Sequence, residues 1–183
     1  PDDVIEKYGA DCFRMYEMFL GPIEQSKPWD TKGIDGVSKF LRKYYSMFFN
    51  EKEEFILSEE TATPEELKIL HTCIKKVNED VDQLSFNTSV SAFMICVNEL
   101  RRLSCNKRSV LLPLTQLLAP FAPFITEEIW NLSGMNGTIH HSDNPRHSEE
   151  YLISDTVNYP VSVNGKKRFE WIVSKSISQE ELQ

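Results

Sequence analysis

No apolar run in this sequence approaches the roughly 20 residues that a bilayer-spanning helix needs. No basic-then-apolar leader stands at its start. Glycine is scarce, with seven in 183 residues, which argues against a turn-rich all-β fold and for helices. The sequence has no Gly-rich phosphate cradle of the P-loop or dinucleotide type and no Ser/His/Asp or Cys/His arrangement. Cys12, Cys73, Cys96 and Cys105 form no C-x-x-C pair and read as buried free thiols in a reducing cytoplasm. His140, His141 and His147 lie in a Gly/Ser/Asn/Asp-rich loop without a cysteine nearby, so they do not read as a zinc site, and His71 falls half-exposed on an amphipathic helix. Positive charge is in deficit: 20 Lys and Arg against 28 Asp and Glu give a net charge of −8. A nucleic-acid module normally draws its affinity from basic residues, so any such contact here must rest on local patches.

What is present is bulk for one sizeable core, or one core with a small appendage. Hydrophobic residues make up 40% and charged residues 26%, ordinary values for a globular chain. The chain starts at Pro1 without a Met and reads as a piece of something longer. Residues 111–130, "LLPLTQLLAPFAPFITEEIW", organise the rest. Leu111, Leu114, Leu118 and Phe121 recur at helical spacing, and Leu112 and Leu117 widen the stripe until little polar face is left. Such a helix belongs in the centre of a bundle. Pro120 and Pro123 must bend or stop it, and Thr126, Glu127 and Glu128 are suited to capping a second helix that restarts at once.

The remaining pattern is also helical. Asp3 with Glu6 has capping-box spacing before a short helix that stops at Gly9, and Asp11 can cap a second helix running to Leu20. Residues 21–33 form a loop, with Trp29 read as an anchor on the bundle end. Ile34, Val37, Leu41, Tyr44 and Phe48 make one face of the next helix. Lys39, Arg42 and Lys43 line the other side, either as a solvated face or as a phosphate-contacting stripe. Residues 50–63 form an acidic connection. Thr63-Pro64-Glu65-Glu66 is a strong helix start, followed by Leu67, Leu70, Ile74, Val77, Val81 and Leu84 at 3/4 spacing. Asn87 can cap a further helix, lined by Val90, Phe93, Val97 and Leu100, that ends near Arg101 and Arg102, where two cations suit the helix dipole. After Gly134 comes a loop, then "VNYPVSV", Asn164-Gly165 and "KKRFEWIV", a hairpin signature. Ser178 with Glu181 has capping-box spacing for a last helix. The fold expected is mostly α: five or six helices in an antiparallel bundle, followed by a short β-hairpin from a truncated C-terminal α/β domain.

Beyond its physics, the wording of several segments carries a resemblance. "LAPFAPFITEEIW" resembles the "LAPFAPHITEELW" segment in the helical tRNA-binding domain of class I aminoacyl-tRNA synthetases of the aliphatic amino-acid branch, with Phe124 where many members have His. That departure removes a polar handle and suggests a structural role for the position. "PDDVIEKYGAD" with Arg14 looks like the segment after the KMSKS loop, "WDTKGIDGVSKFL" like the leucine-specific lead into the first long bundle helix, and "FNTSVSAFMICVNEL" like the family's "FNTAI…N.L" helix. "YPVSVNGKKRFE" resembles the "V.VNGK.R" hairpin of the bacterial leucyl enzymes. The resemblance spans nearly the whole chain, and its last two motifs separate the leucyl family from the valyl and isoleucyl ones.

The bacterial-type leucyl-tRNA synthetase family implies an intact enzyme that activates leucine with ATP and Mg²⁺, esterifies tRNA(Leu) through a leucyl-adenylate and edits mischarged tRNA. No HIGH-type or KMSKS motif occurs here, so the resemblance puts the active sites upstream, leaves this stretch without a cofactor and makes it inactive alone. It implies four regions: 1–20 after the KMSKS loop, 21–135 the helical bundle, 136–155 a linker and 156–183 a partial C-terminal domain. The partners it implies are tRNA(Leu) and the catalytic and editing domains of the same chain, with no DNA or membrane, in a cytoplasmic monomer. In the family the bundle supports the body of the tRNA, and the bacterial leucyl branch does not depend on reading the anticodon bases. Candidate tRNA contacts are Lys39, Arg42 and Lys43; Arg101, Arg102, Lys107 and Arg108; and Lys166, Lys167 and Arg168. Two other readings stay open: the same domain of a valyl or isoleucyl enzyme, and a helical protein–protein interaction module. A small autonomous enzyme would need a cluster of convergent polar groups, which the sequence does not offer.

Overall fold

The computed structural model describes residues 2–27 and 33–153 in full, with the backbone of 156–163 and 166–174. Trp29, the Asn164-Gly165 pair and the Ser178/Glu181 spacing lie outside the described residues. In chain order come α1 (Asp2–Tyr8), α2 (Ala10–Phe19), α3 (Ile34–Ser46), α4 (Pro64–Asp82), α5 (Phe86–Arg102), α6 (Arg108–Leu118), α7 (Pro123–Leu132), a 3₁₀ turn at Ile139–His141, α8 (Glu149–Leu152), β1 (Thr156–Val163) and β2 (Lys166–Ser174).

Helix α4 starts as its sequence dictates. Thr63 is extended, and its hydroxyl accepts the Glu66 N–H at 3.2 Å. The Glu66 carboxylate takes the Thr63 N–H at 2.7 Å, and Pro64 fills the first helical position, where a missing N–H costs nothing. Other starts differ from expectation. Asp3 already lies inside α1, Asp11 inside α2 and Asn87 inside α5, so none caps its own helix. The C-terminal signals differ too. α4 ends at Asp82 and α5 at Arg102 in left-handed residues that are not glycine, Leu84 (φ 56°) and Ser104 (φ 52°). There the Ser85 N–H returns to the Asp80 carbonyl at 2.7 Å, and the Cys105 N–H to Leu100 at 3.0 Å. Leu84 is therefore not the last rung of the α4 stripe; it and Val81 are exposed, while Leu70, Ile74 and Val77 are buried.

α6 holds the centre, as its apolar pattern requires. Val110, Leu111, Leu114, Leu117 and Leu118 are all at most 2% exposed, and Leu112 is buried as well. Met15 and Tyr16 of α2, Val37 and Tyr44 of α3, Ile74 and Val77 of α4, and Phe93 and Val97 of α5 join the same core cluster. The Tyr44 hydroxyl donates to Thr115 Oγ1 at 2.7 Å and Thr115 donates to the Leu111 carbonyl, so this polar contact at the α3–α6 seam is closed. Burial pushes the Tyr44 hydroxyl's pKa well up. Phe121 meets Phe93 edge-on with ring centroids 5.1 Å apart. All four cysteines are buried and free.

The stretch read as a loop after Gly134 is tied to the bundle. The Glu127 carboxylate accepts the Thr138 hydroxyl and the Ile139 N–H at 2.8 and 3.0 Å. Further on, the Asn78 amide donates to the Pro145 carbonyl, the Ser148 N–H donates to His71 Nδ1 at 3.0 Å, and Tyr151 stacks on His71 at 4.5 Å.

The chain divides into two compact units, Pro1–Tyr151 and Leu152–Gln183. In the second, β1 pairs antiparallel with β2, with Val157 opposite Val173 and Tyr159 opposite Trp171 and a register shift between Val161 and Ser162. The expected fold class, a bundle followed by a hairpin from a truncated α/β domain, is therefore corrected. The bundle is all-helical, and among the described residues there is no α/β domain: β1 and β2 pair only with each other and no helix follows Leu152. The physical reason is that alternation and turn residues are local signals. They cannot specify a second layer, and layers, not strands, make an α/β domain.

Candidate nucleic-acid interface

The amphipathic period of α3 determines its outward face. With Ile34, Val37, Leu41 and Tyr44 buried, the i, i+3 and i+4 positions Lys39, Arg42 and Lys43 all come out exposed on one side. Lys43 Nζ donates to Asn98 Oδ1 of α5 at 2.9 Å, which leaves its charge unneutralised. Lys39 and Arg42 make no hydrogen bond or ion pair among the described residues. This face remains a line of three cations available to an anion.

The second cluster is arranged otherwise. Arg102 of α5 forks between Glu65 at 2.7 Å and Glu99 at 3.0 Å. Lys107 meets Glu66 at 2.8 Å, with both side chains largely buried. Burial by itself raises the Glu66 pKa, but the Lys107 ammonium and the bonds from Thr63 outweigh it and hold the carboxyl at about 2. Arg108 meets Glu59 at 2.6 Å and also donates to the Ser133 carbonyl at 3.0 Å. Together with the Ser58–Asn106 and Arg108–Ser58 backbone bonds, these pairs fasten the acidic 58–66 segment to the α5–α6 junction. A phosphate at Arg102, Lys107 or Arg108 would have to compete with a carboxylate already in place. Arg101 is exposed and has no such partner among the described residues. Lys166, Lys167 and Arg168 open β2, of which the backbone alone is described.

α2 holds the break between α6 and α7. The Asp11 carboxylate accepts the Phe124 N–H at 3.2 Å and the Ile125 N–H at 2.7 Å, capping α7 from 113 residues earlier in the chain. One turn along α2, Arg14 donates to the Pro120 carbonyl at 3.1 Å. An acid thus faces the N-terminus of α7, and a base the carbonyl end of the α6 turn. This corrects the expectation that Thr126, Glu127 and Glu128 cap α7. Thr126 is buried and bonds back to Ala122, Glu127 holds the 138–139 turn, and Pro123 starts the helix. Asp11 and Arg14 sit at i, i+3 on a helix whose one other charged residue is Glu17, and that spacing is the signal that could have marked them as partners of one site.

The same clamp shapes a cleft of about 550 Å³ between α1, α2, α3 and the first turn of α7, lined by Lys7, Tyr8, Arg42, Tyr45 and Phe124 among others. Phe124, expected to have a structural role, is 67% exposed. Apart from Arg42, none of these residues was singled out from the sequence as a contact. Among the described residues no group of three or more His, Cys, Asp or Glu side chains could hold a metal ion, so they do not fit a Mg²⁺ site. No described helix is long and apolar enough to cross a membrane.

Comparison with known proteins assigns this bundle to a class. The model of the anticodon-binding domain of tRNA ligase matches residues 66–183, and the chain belongs to that family. Within the class its relatives are leucine–tRNA ligases. That of Bacteroides thetaiotaomicron is 57% identical over 169 residues, covering 92% of this chain and 18% of the relative. That of Parabacteroides distasonis is 52% identical over 183 residues, covering 100% of this chain and 19% of the relative. Among solved structures, the ternary LeuRS–tRNA–LeuAMS complex of Agrobacterium radiobacter K84 superposes with a TM-score of 0.75 at 27% identity, covering 100% of this chain and 25% of that one. The resemblance drawn from the sequence motifs is borne out by these matches. The chain spans about a fifth of the length of the curated relatives.

Proposed function

We propose that this chain is the tRNA-binding helical domain of a bacterial-type leucine–tRNA ligase. The intact enzyme joins leucine to tRNA(Leu) with ATP and Mg²⁺ through a leucyl-adenylate and edits mischarged tRNA at sites outside these residues, in the cytoplasm and as a monomer. Residues 1–20 follow the KMSKS loop of its catalytic domain, 21–135 are the bundle, 136–155 the linker and 156–183 part of a C-terminal domain. The observation that carries the reading is the match of the whole chain, in sequence and in fold, to leucine–tRNA ligases, one of them solved in a complex named for tRNA. Within the bundle, the free cationic face of α3 is the surface best suited to phosphate. The paired Arg102, Lys107 and Arg108 rank behind it, and Lys166, Lys167 and Arg168 remain candidates from their sequence.

Aminoacylation by the full-length protein with leucine, valine and isoleucine tests the ligase reading; charging with leucine alone is expected, and preference for valine or isoleucine would overturn it. A salt titration of tRNA binding tests the surface. Arg42→Ala with Lys43→Ala should lower affinity and reduce the salt slope by roughly 0.7–0.9 per lost contact, while Arg101→Ala with Arg102→Ala changes less. Unchanged affinity and slope in both would make these cations a solvated face.

A further inference from the structure

Phe124 lies in the first turn of α7, within the most apolar stretch of the chain, yet the residue is 67% exposed. It is not a frayed position, because Asp11 holds its N–H and that of Ile125. Beside it, Tyr45 of α3 stacks on Phe49 at 4.6 Å and is still 37% exposed. Arg42 lines the same cleft without a carboxylate partner among the described residues, and Lys7 lies 4.8 Å from the centre of the Tyr8 ring. The Tyr8 hydroxyl and, more weakly, Asp35 favour the charged form of Lys7. Cations next to accessible aromatic faces are the chemistry that recognises a nucleotide: the cations take the phosphate and the rings take the π-face of any base. The cleft's volume of about 550 Å³ falls within the range of roughly 300–1,000 Å³ typical of small-ligand sites. The anion position at the N-terminus of α7 is filled by Asp11, so a phosphate here must be taken by Arg42 and Lys7 rather than by the helix end.

We propose that this cleft receives one unpaired nucleotide of the bound tRNA, its phosphate between Arg42 and Lys7 and its base against Phe124 and Tyr45. The proposal rests on the reading that the bundle binds tRNA. It adds Lys7, Tyr45 and Phe124 to the contact surface and gives Arg42 a partner distinct from the duplex backbone.

The test uses the full-length protein and a tRNA(Leu) transcript, with binding measured by salt titration and base accessibility by chemical footprinting. Phe124→Ala should weaken binding roughly 5- to 150-fold, the range of one lost base–aromatic stack, with an unchanged salt slope. Arg42→Ala should lower the slope by roughly 0.7–0.9. Phe124→Tyr should bind like the parent, since a ring remains. One unpaired base protected by the parent should become reactive with Phe124→Ala and stay protected with Phe124→Tyr. If the parent itself does not bind tRNA(Leu), the functional reading fails and this proposal with it. If the parent binds but Phe124→Ala leaves affinity and footprint unchanged, the functional reading stands and the nucleotide site is overturned. A Phe124→Ala protein that melts lower but binds tRNA normally would show that the cleft receives another part of the polypeptide, which also overturns the proposal.

Discussion

Replacing Glu66 by Gln removes one negative charge from a largely buried pair while keeping an acceptor for the Thr63 N–H, since Gln serves in a capping box as Glu does. Burial raises the Glu66 pKa, but Lys107 and Thr63 prevail and bring it from 4.5 to about 2. A depressed carboxylate pKa stabilises the fold fully above the unfolded value and loses that contribution as pH falls through the folded value. At about 1.4 kcal/mol for each tenfold change in proton affinity, that lowering makes the ionised Glu66 worth roughly 3 kcal/mol at pH 7. The range of about 3–5 kcal/mol for breaking a buried pair overlaps that figure, because Lys107 is left unpartnered. Urea unfolding at pH 7 should therefore show Glu66→Gln about 3 kcal/mol less stable, and its melting temperature should fall by roughly 6–12 °C. The deficit should shrink below pH 4.5 and vanish below about pH 2, where the parent's own carboxyl is protonated. Adding Lys107→Met should recover much of the loss, because the unpaired cation is gone. A shift under about 2 °C at pH 7, or a deficit that does not change with pH, would refute the assignment of this pair as a structural lock. If Lys107 instead contacts RNA, Lys107→Met will weaken tRNA binding with the same salt signature as Arg42→Ala.

Other substitutions probe other joints. Leu118→Ala and Phe121→Ala, each at most 3% exposed in the central core, should each cost ~2–5 kcal/mol, visible as a clearly lowered melting temperature. Asp11→Ala leaves two N–H groups of α7 without their acceptor and should cost ~0.5–2 kcal/mol, with faster amide exchange at Phe124 and Ile125 as the specific mark. Burial, and to a smaller extent His147, lowers the His71 pKa, and its Nδ1 must be unprotonated to accept the Ser148 N–H. That contact is fully stabilising above the ordinary His pKa and is lost as pH falls through the lowered value of the folded state. Amide protection at Ser148 should decrease from pH 7 to pH 5, and protection that is constant over this interval would show that the strap does not depend on His71.

Local signals in the amino-acid sequence determine a good deal of this protein by themselves. The Thr63-Pro64-x-Glu66 start forms as written because both bonds of its capping box close within four residues, although the Glu66 carboxylate also takes Lys107 from 41 residues away. The periodic stripes of α3, α5 and α6 turned inward because burying them is the dominant gain and helical geometry leaves one way to do it. The face of Lys39, Arg42 and Lys43 was legible for the same reason: it is what remains outside when the apolar side is inside. Even the family was readable, since its motifs lie in contiguous words such as "LAPFAPFITEEIW".

Relations between distant residues were not legible. Asp11 looks like the cap of its own helix, and only the packing of α2 against the α6–α7 break gives it to α7. Arg102, Lys107 and Arg108 look like a basic patch, and only the path of residues 58–66 across the α5–α6 junction sets Glu65, Glu66 and Glu59 against them. Leu84 and Ser104 end helices in a conformation that a reader of sequence reserves for glycine, because the backbone returns to Asp80 and Leu100 compensate the strain. The α/β domain expected at the end is absent from the described residues, since strand alternation says nothing about a covering layer. Periodicity encodes which face of an element is buried, a property of a few adjacent turns. Which charge meets which, and which carboxylate reaches a helix end 113 residues away, depends on how the elements are stacked, and that was decided by the tertiary structure alone.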